Sequence, residues 1–172
     1  MTILERLGGE VQSHDGDLPC MTYHWDAETE ILSGHADVEG REGLTGSIEL
    51  EDARGAVVTL DFEGGLMRGV EVVVWPPVKT KETLTAPRPV SGGHLVVPTL
   101  SDQGVAVVEI DVPLAAESSA DESVIHLRVG SGRPARTVAL AENLLLDLDA
   151  KSEIAGLWLL DVPKFPTERE LG

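Results

Sequence analysis

The chain is short of aromatic residues, basic residues and cysteine, and each shortage narrows what it can be. Aromatics are 3% of its 172 residues, so a core must be built mainly from Val, Leu and Ala around Trp25, Trp75 and Trp158. Only 13 Lys and Arg stand against 30 Asp and Glu, a formal net charge of −17. Such a surface repels the phosphate backbone of nucleic acid and the anionic face of a membrane, so neither is an expected partner. The charge itself keeps a β-rich protein dispersed and favours a basic protein partner or cations. Cys20 is the single cysteine, which rules out an internal disulfide. No stretch approaches the ~18 uninterrupted apolar residues of a transmembrane helix, and Met1 to Arg6 lack the apolar run of a signal peptide. The expected compartment is the cytoplasm.

What is present is a succession of short extended patterns, enough for one domain or two small ones. Met21 to Trp25 and Glu30 to His35 flank the polar turn Asp26-Ala27-Glu28-Thr29, which predicts a hairpin. Thr45 to Leu50 and Ala56 to Leu60 read as strands. Val70 to Trp75 has five apolar residues in six, which predicts a strand buried on both faces and ended by Pro76-Pro77. Residues 77–104 are a Pro/Gly-rich connection with a short strand within His94 to Val97. Gly104 to Val112 and Val124 to Val129 read as strands, and Ala115 to Glu122 as a loop. Arg136 to Leu148 is rich in helix formers, yet is assigned to two extended pieces broken near Glu142-Asn143. Gly156 to Leu160 is a second wholly apolar strand. Residues 1–20 form an arm with a helical turn over Ile3 to Leu7, Val38 to Gly46 is a charged, glycine-bearing loop, and residues 164–172 are a tail.

The choice at Arg136 to Leu148 rests on a weak internal repeat. Leu60-Asp61-Phe62-Glu63 leads through glycines to Gly69 and an apolar strand, and Leu146-Asp147-Leu148-Asp149 leads to Gly156 and another. Ala27-Glu28-Thr29-Glu30-Ile31-Leu32 likewise parallels Ala120-Asp121-Glu122-Ser123-Val124-Ile125. The expected fold is all-β: two small antiparallel units, residues 21–76 and 105–163, related by a pseudo-two-fold and packed as a sandwich or one extended sheet. Either unit alone buries little surface, so each needs the other or a second chain as cover.

Tyr23 to Leu32, Gly69-Val70-Glu71-Val72, Leu146-Asp147-Leu148-Asp149 and Gly156-Leu157 together resemble domain-of-unknown-function family 2283 in tandem. The family pattern is a Tyr-Asp hairpin, a Leu-Asp-x-Asp turn, then Gly-Ile-Glu and a hydrophobic strand. The chain departs from it at Trp25, which separates His24 from Asp26, and at Trp158, which replaces the second copy's glutamate. The resemblance implies a small β fold and no activity.

The residues that could carry chemistry are histidines beside carboxylates: His14 with Asp15 and Asp17, His24 with Asp26, and His35 with Asp37. Imidazole with carboxylate suits divalent transition metals, and residues i and i+2 of a strand share a face. His24, Asp26, His35 and Asp37 are therefore the candidate metal set, although their spacing matches no established site class. Asp61/Glu63 and Asp147/Asp149 suit hairpin turns better than acid–base pairs or calcium loops. No Gly-x-Ser-x-Gly elbow and no phosphate-cradling glycine loop is present, so neither a catalytic set nor a cofactor is expected. The expected function is a non-catalytic binding or assembly module, with a second copy of the chain in a homo-oligomer, or a basic protein, as its partner. The alternative is a metal-binding protein or metal-dependent enzyme.

Overall fold

The computed structural model describes residues 9–13, 16–37, 45–97 and 105–166. The expected helical turn at Ile3 to Leu7, the His14-Asp15 pair, most of the Val38 to Gly46 loop and the tail from Thr167 lie outside them. The described residues form fourteen strands and no helix: β1 Glu10–Ser13, β2 Thr22–Trp25, β3 Leu32–His35, β4 Thr45–Glu51, β5 Val57–Glu63, β6 Leu66–Val74 and β7 Val78–Lys81. They continue with β8 Ser91–Val96, β9 Val105–Asp111, β10 Leu114–Ser119, β11 Ile125–Val129, β12 Arg136–Ala141, β13 Leu144–Leu148 and β14 Ile154–Leu159.

All fourteen belong to one mixed sheet. Its main path is β7-β10-β11-β14-β13-β12-β8-β6-β5-β4-β9, with β3 beside β6, β2 beside β3 and β1 beside β8. Within the first stretch of chain the neighbours run β2-β3-β6-β5-β4, all antiparallel. Within the second they run β10-β11-β14-β13-β12, again all antiparallel. One hydrophobic cluster draws Leu32, Leu60 and Val72 from the first stretch and Leu127, Leu146 and Leu157 from the second, so the sheet curls and both stretches share a core.

The two apolar strands differ from expectation in one case. β14 is buried along its whole length. Its inward side chains Leu157 and Leu159 enter the shared core, while outward Trp158 joins Ala139 and Leu145 beneath Leu18, Leu84 and Ala86. Residues of the Pro-rich connection thus roof β14. β6 is not buried on both faces: Val70 and Val72 are in the core, but Glu71 and Val73 are only half-buried and Val74 is 48% exposed.

Three more differences have local causes. The expected connection contributes β7 and β8 to the sheet. Residues 10–13 of the expected arm are β1, paired with Gly93 to Val96. Ala115 to Glu122 is mostly strand rather than loop, because Ala116 to Ser119 are enclosed between β7 and β11. The small Ala and Ser side chains there have poor strand preference, and burial between neighbours overrides it.

The segment Arg136 to Leu148 is two strands with Glu142-Asn143 at their turn. Asn143 is buried and ties this turn to the start of β2. Its Oδ1 accepts from the Met21 amide at 2.7 Å, its Nδ2 donates to the Met21 carbonyl at 2.9 Å, and its own carbonyl accepts from the Tyr23 hydroxyl at 2.6 Å.

Candidate functional site

Among the described residues the strand path does not close on itself, and a cleft of about 350 Å³ lies beside its β7 end. Trp25 ends β2, Trp75 follows β6, and Phe165 comes from the C-terminal segment; these three of the chain's six aromatics line it. The indoles stack with centroids 5.6 Å apart and planes 21° apart, and Phe165 meets Trp25 edge-on at 5.2 Å. Both indoles are fixed by their N–H groups. Trp25 Nε1 donates to the Pro163 carbonyl at 2.8 Å, and Trp75 Nε1 to the Glu30 carbonyl at 2.9 Å. The opposite wall is Val78 and Thr80 of β7 with Ser118 and Ile125.

Two carboxylate residues, Glu30 and Glu122, complete the lining. Each stands in a strand–strand turn, β2–β3 or β10–β11, and each has φ of 62°. Neighbouring aspartates hold these turns. Asp26 Oδ1 accepts from the amides of Glu28 and Thr29, and the Thr29 and Glu28 N–H groups hold its carboxyl below the usual range. The Ser119 and Ser123 hydroxyls and the Ser123 amide bring Asp121 down to about 2. The cleft is therefore aromatic on one side, acidic at its turns and built on fixed indoles.

A second polar feature lies on the outer face of β11, β12, β13 and β14. His126 Nε2 is 2.9 Å from Asp147 Oδ2, and the imidazole stacks on Trp158 at 3.9 Å. The Thr137 hydroxyl donates to Asp147 Oδ1 at 2.8 Å, and Trp158 Nε1 donates to Asp147 Oδ2 at 3.0 Å. Asp147 is 1% exposed, so three donors surround a carboxylate that water does not reach. The row continues across the sheet, where Glu117 stands opposite His126 and its Oε2 lies 2.5 Å from Lys81 Nζ. The Lys81 ammonium in that ion pair holds the Glu117 carboxyl low. Neither His126 nor Asp147 lines the Trp25–Trp75 cleft or the cavities beside Pro19, Arg133 and Ala53. The network has the chemistry of a folded core rather than of a substrate site.

The metal candidates are only partly brought together. His24 and His35 are exposed on one face of the β2–β3 hairpin, where His24 pairs with Ser33 and His35 with Thr22, so they are diagonal neighbours. Asp26 is engaged in its turn and Asp37 lies beyond β3. Among the described residues no group of three or more His, Cys, Asp or Glu is assembled to hold a metal ion. Asp149 caps a turn as expected, accepting from the amides of Lys151 and Glu153. Asp61 and Asp147 instead lie within strands, opposite Gly69 and Gly156.

Sequence reasoning missed His126, Thr137 and the convergence of Trp25, Trp75 and Phe165. His126 and Thr137 are polar residues inside strands whose other residues, apart from Arg128 and Arg136, are apolar and buried, and that is the one local signal they give. The cleft has none, because its residues come from four separate stretches of chain. Compared with protein-family models and with curated proteins, the chain matches none. No helix among the described residues is long and apolar enough to cross a membrane.

Proposed function

We propose that the protein is a non-catalytic binding module whose cleft receives a cationic group of a basic partner. The observation that carries this is the pairing of fixed indoles with Glu30 and Glu122 around one 350 Å³ opening. A cation near an indole face is attracted by the ring quadrupole, by about 0.5–1 kcal/mol when exposed and ~2 kcal/mol when desolvated. Carboxylates at the rim add Coulomb attraction, and a net charge of −17 steers cations inward over longer range.

The scaffold is read as two copies of one unit of the kind that family 2283 resembles. Support comes from the shared strand order and from Asp61 opposite Gly69 matching Asp147 opposite Gly156. A register shift follows the aspartate in each case. Each glycine leaves room for the carboxylate: a Cβ on Gly156 would lie 3.1 Å from Asp147 Oδ2, and one on Gly69 3.4 Å from Asp61 Oδ2. The two equivalent hairpin turns then bring Glu30 and Glu122 to the same cleft.

The test is a fluorescence titration with tetramethylammonium chloride against sodium chloride at equal ionic strength. Saturable quenching in the millimolar range, about −4 kcal/mol, and its loss in Trp25→Leu are expected. Equal responses to the two salts would sink the proposal.

A further inference from the structure

We propose that the partner supplying the cationic group is an extended peptide that adds as a strand to the free side of β7. This rests on the cleft being a cation site and specifies the ligand that fills it. Among the described residues β7 pairs with β10 alone, so its other side presents backbone N–H and C=O groups without a ladder partner. All four of its residues are exposed. An unpaired edge of this kind is a template for another strand, and main-chain hydrogen bonds then supply affinity while alternate side chains supply specificity.

The two faces of β7 differ in charge, and that sets the chemistry of the partner. Val78 and Thr80 face the cleft, where Glu30 and Glu122 stand. Lys79 and Lys81 point to the opposite face, where Lys81 meets Glu117 and Lys79 stands opposite it in register. Successive residues of an added strand alternate between these faces. Basic residues entering the cleft would meet carboxylates and indoles, and the intervening residues would lie beside Lys79. The complementary peptide therefore alternates basic with acidic residues. Val74 and Val78, 48% and 45% exposed, flank Trp75 and give the edge apolar surface that an added strand would cover.

Four kinds of probe separate this proposal from the reading beneath it. Tetramethylammonium tests the cleft alone. The blocked octapeptide of alternating Lys and Glu tests strand addition. Its analogue N-methylated at every second residue, on whichever alternate set, removes donors from one side of the strand while keeping all side chains. The expected result, read by tryptophan fluorescence and calorimetry, is that the octapeptide binds about tenfold tighter than at least one N-methylated analogue. A blocked octapeptide of alternating Glu and Thr should not bind. If the parent and both N-methylated forms bind equally, strand addition is wrong and the cleft reading stands. If tetramethylammonium binds but no peptide does, the ligand is not an extended peptide. If none of the probes binds, both fail. A stable dimer by sedimentation that resists the octapeptide would assign this edge to a second copy instead.

Discussion

Replacing Asp147 with Ala should cost the fold about 3–9 kcal/mol, because it leaves three buried partners at once without an acceptor. The carboxylate is 1% exposed and is met by the His126 imidazole, the Thr137 hydroxyl and the Trp158 indole N–H. Each buried polar group deprived of its partner loses about 1–3 kcal/mol, and the cavity adds to the cost. A small domain has roughly 5–15 kcal/mol in all, so the variant should sit close to unfolding. Asp147→Asn provides the contrast. Its carbonyl oxygen can take over the Oδ1 position, accepting from Thr137, while its NH2 meets a neutral imidazole nitrogen. The loss should then be nearer 1–2 kcal/mol, that of exchanging charge-assisted bonds for neutral ones and weakening one to Trp158. Urea unfolding followed by circular dichroism gives both values from the midpoint shift. A cost below about 1 kcal/mol for Asp147→Ala would refute the claim that this network is closed to water.

Other expectations concern pH and packing. Burial drives the Tyr23 phenol well above its ordinary value of 10.0, so its contribution is complete below pH 10 and lost as pH rises beyond it. Tyr23→Phe should flatten that alkaline decline in thermal scans while lowering stability at neutral pH. Asp61 is also raised, first by burial and then by Glu71, which means its charged form is disfavoured in the fold. Asp61→Asn should therefore raise the melting temperature at pH 7, with the gain disappearing once pH falls below 3.8; an unchanged melting temperature would contradict this. Asp121, held down to about 2 by serine hydroxyls, contributes stability above the ordinary carboxylate range that is lost as pH falls toward 2, and Asp121→Asn should remove that acid limb. Gly156→Ala should destabilise by about 1–3 kcal/mol, since a Cβ there would lie 2.8 Å from the Leu127 carbonyl and 3.1 Å from His126 Nε2; a neutral denaturation midpoint would show that β11 and β14 yield.

The local periodicity of the chain carried the strands well. The hairpin from Met21 to His35 follows from two short extended runs around a polar turn, whereas the break at Glu142-Asn143 follows from the repeat, against a local pattern rich in helix formers. Periodicity carried less where burial depended on distant chain. β6 looks as apolar as β14 in sequence, yet only β14 is roofed, because Leu84 and Ala86 cross over it. β10 reads as loop because Ala, Ser and Glu favour loops, and its strand state comes from β7 and β11 on either side. Asp147 next to Asp149 suggested a turn pair, but the strand carries on through Asp147 and a glycine on β14 gives its carboxylate space. The histidines chosen from proximity to aspartate lie on an exposed hairpin, and the histidine with a buried aspartate partner, His126, is twenty-one residues away from it. The cleft was legible only as three scarce tryptophans, of which two turned out to line it.

The most direct test follows the three indole N–H resonances by NMR as tetramethylammonium is added. Trp25 and Trp75 should shift progressively and saturably, while Trp158, enclosed against His126 and Asp147, should stay in place. Three equal shifts, or none, would contradict the assignment of the cleft as the recognition site.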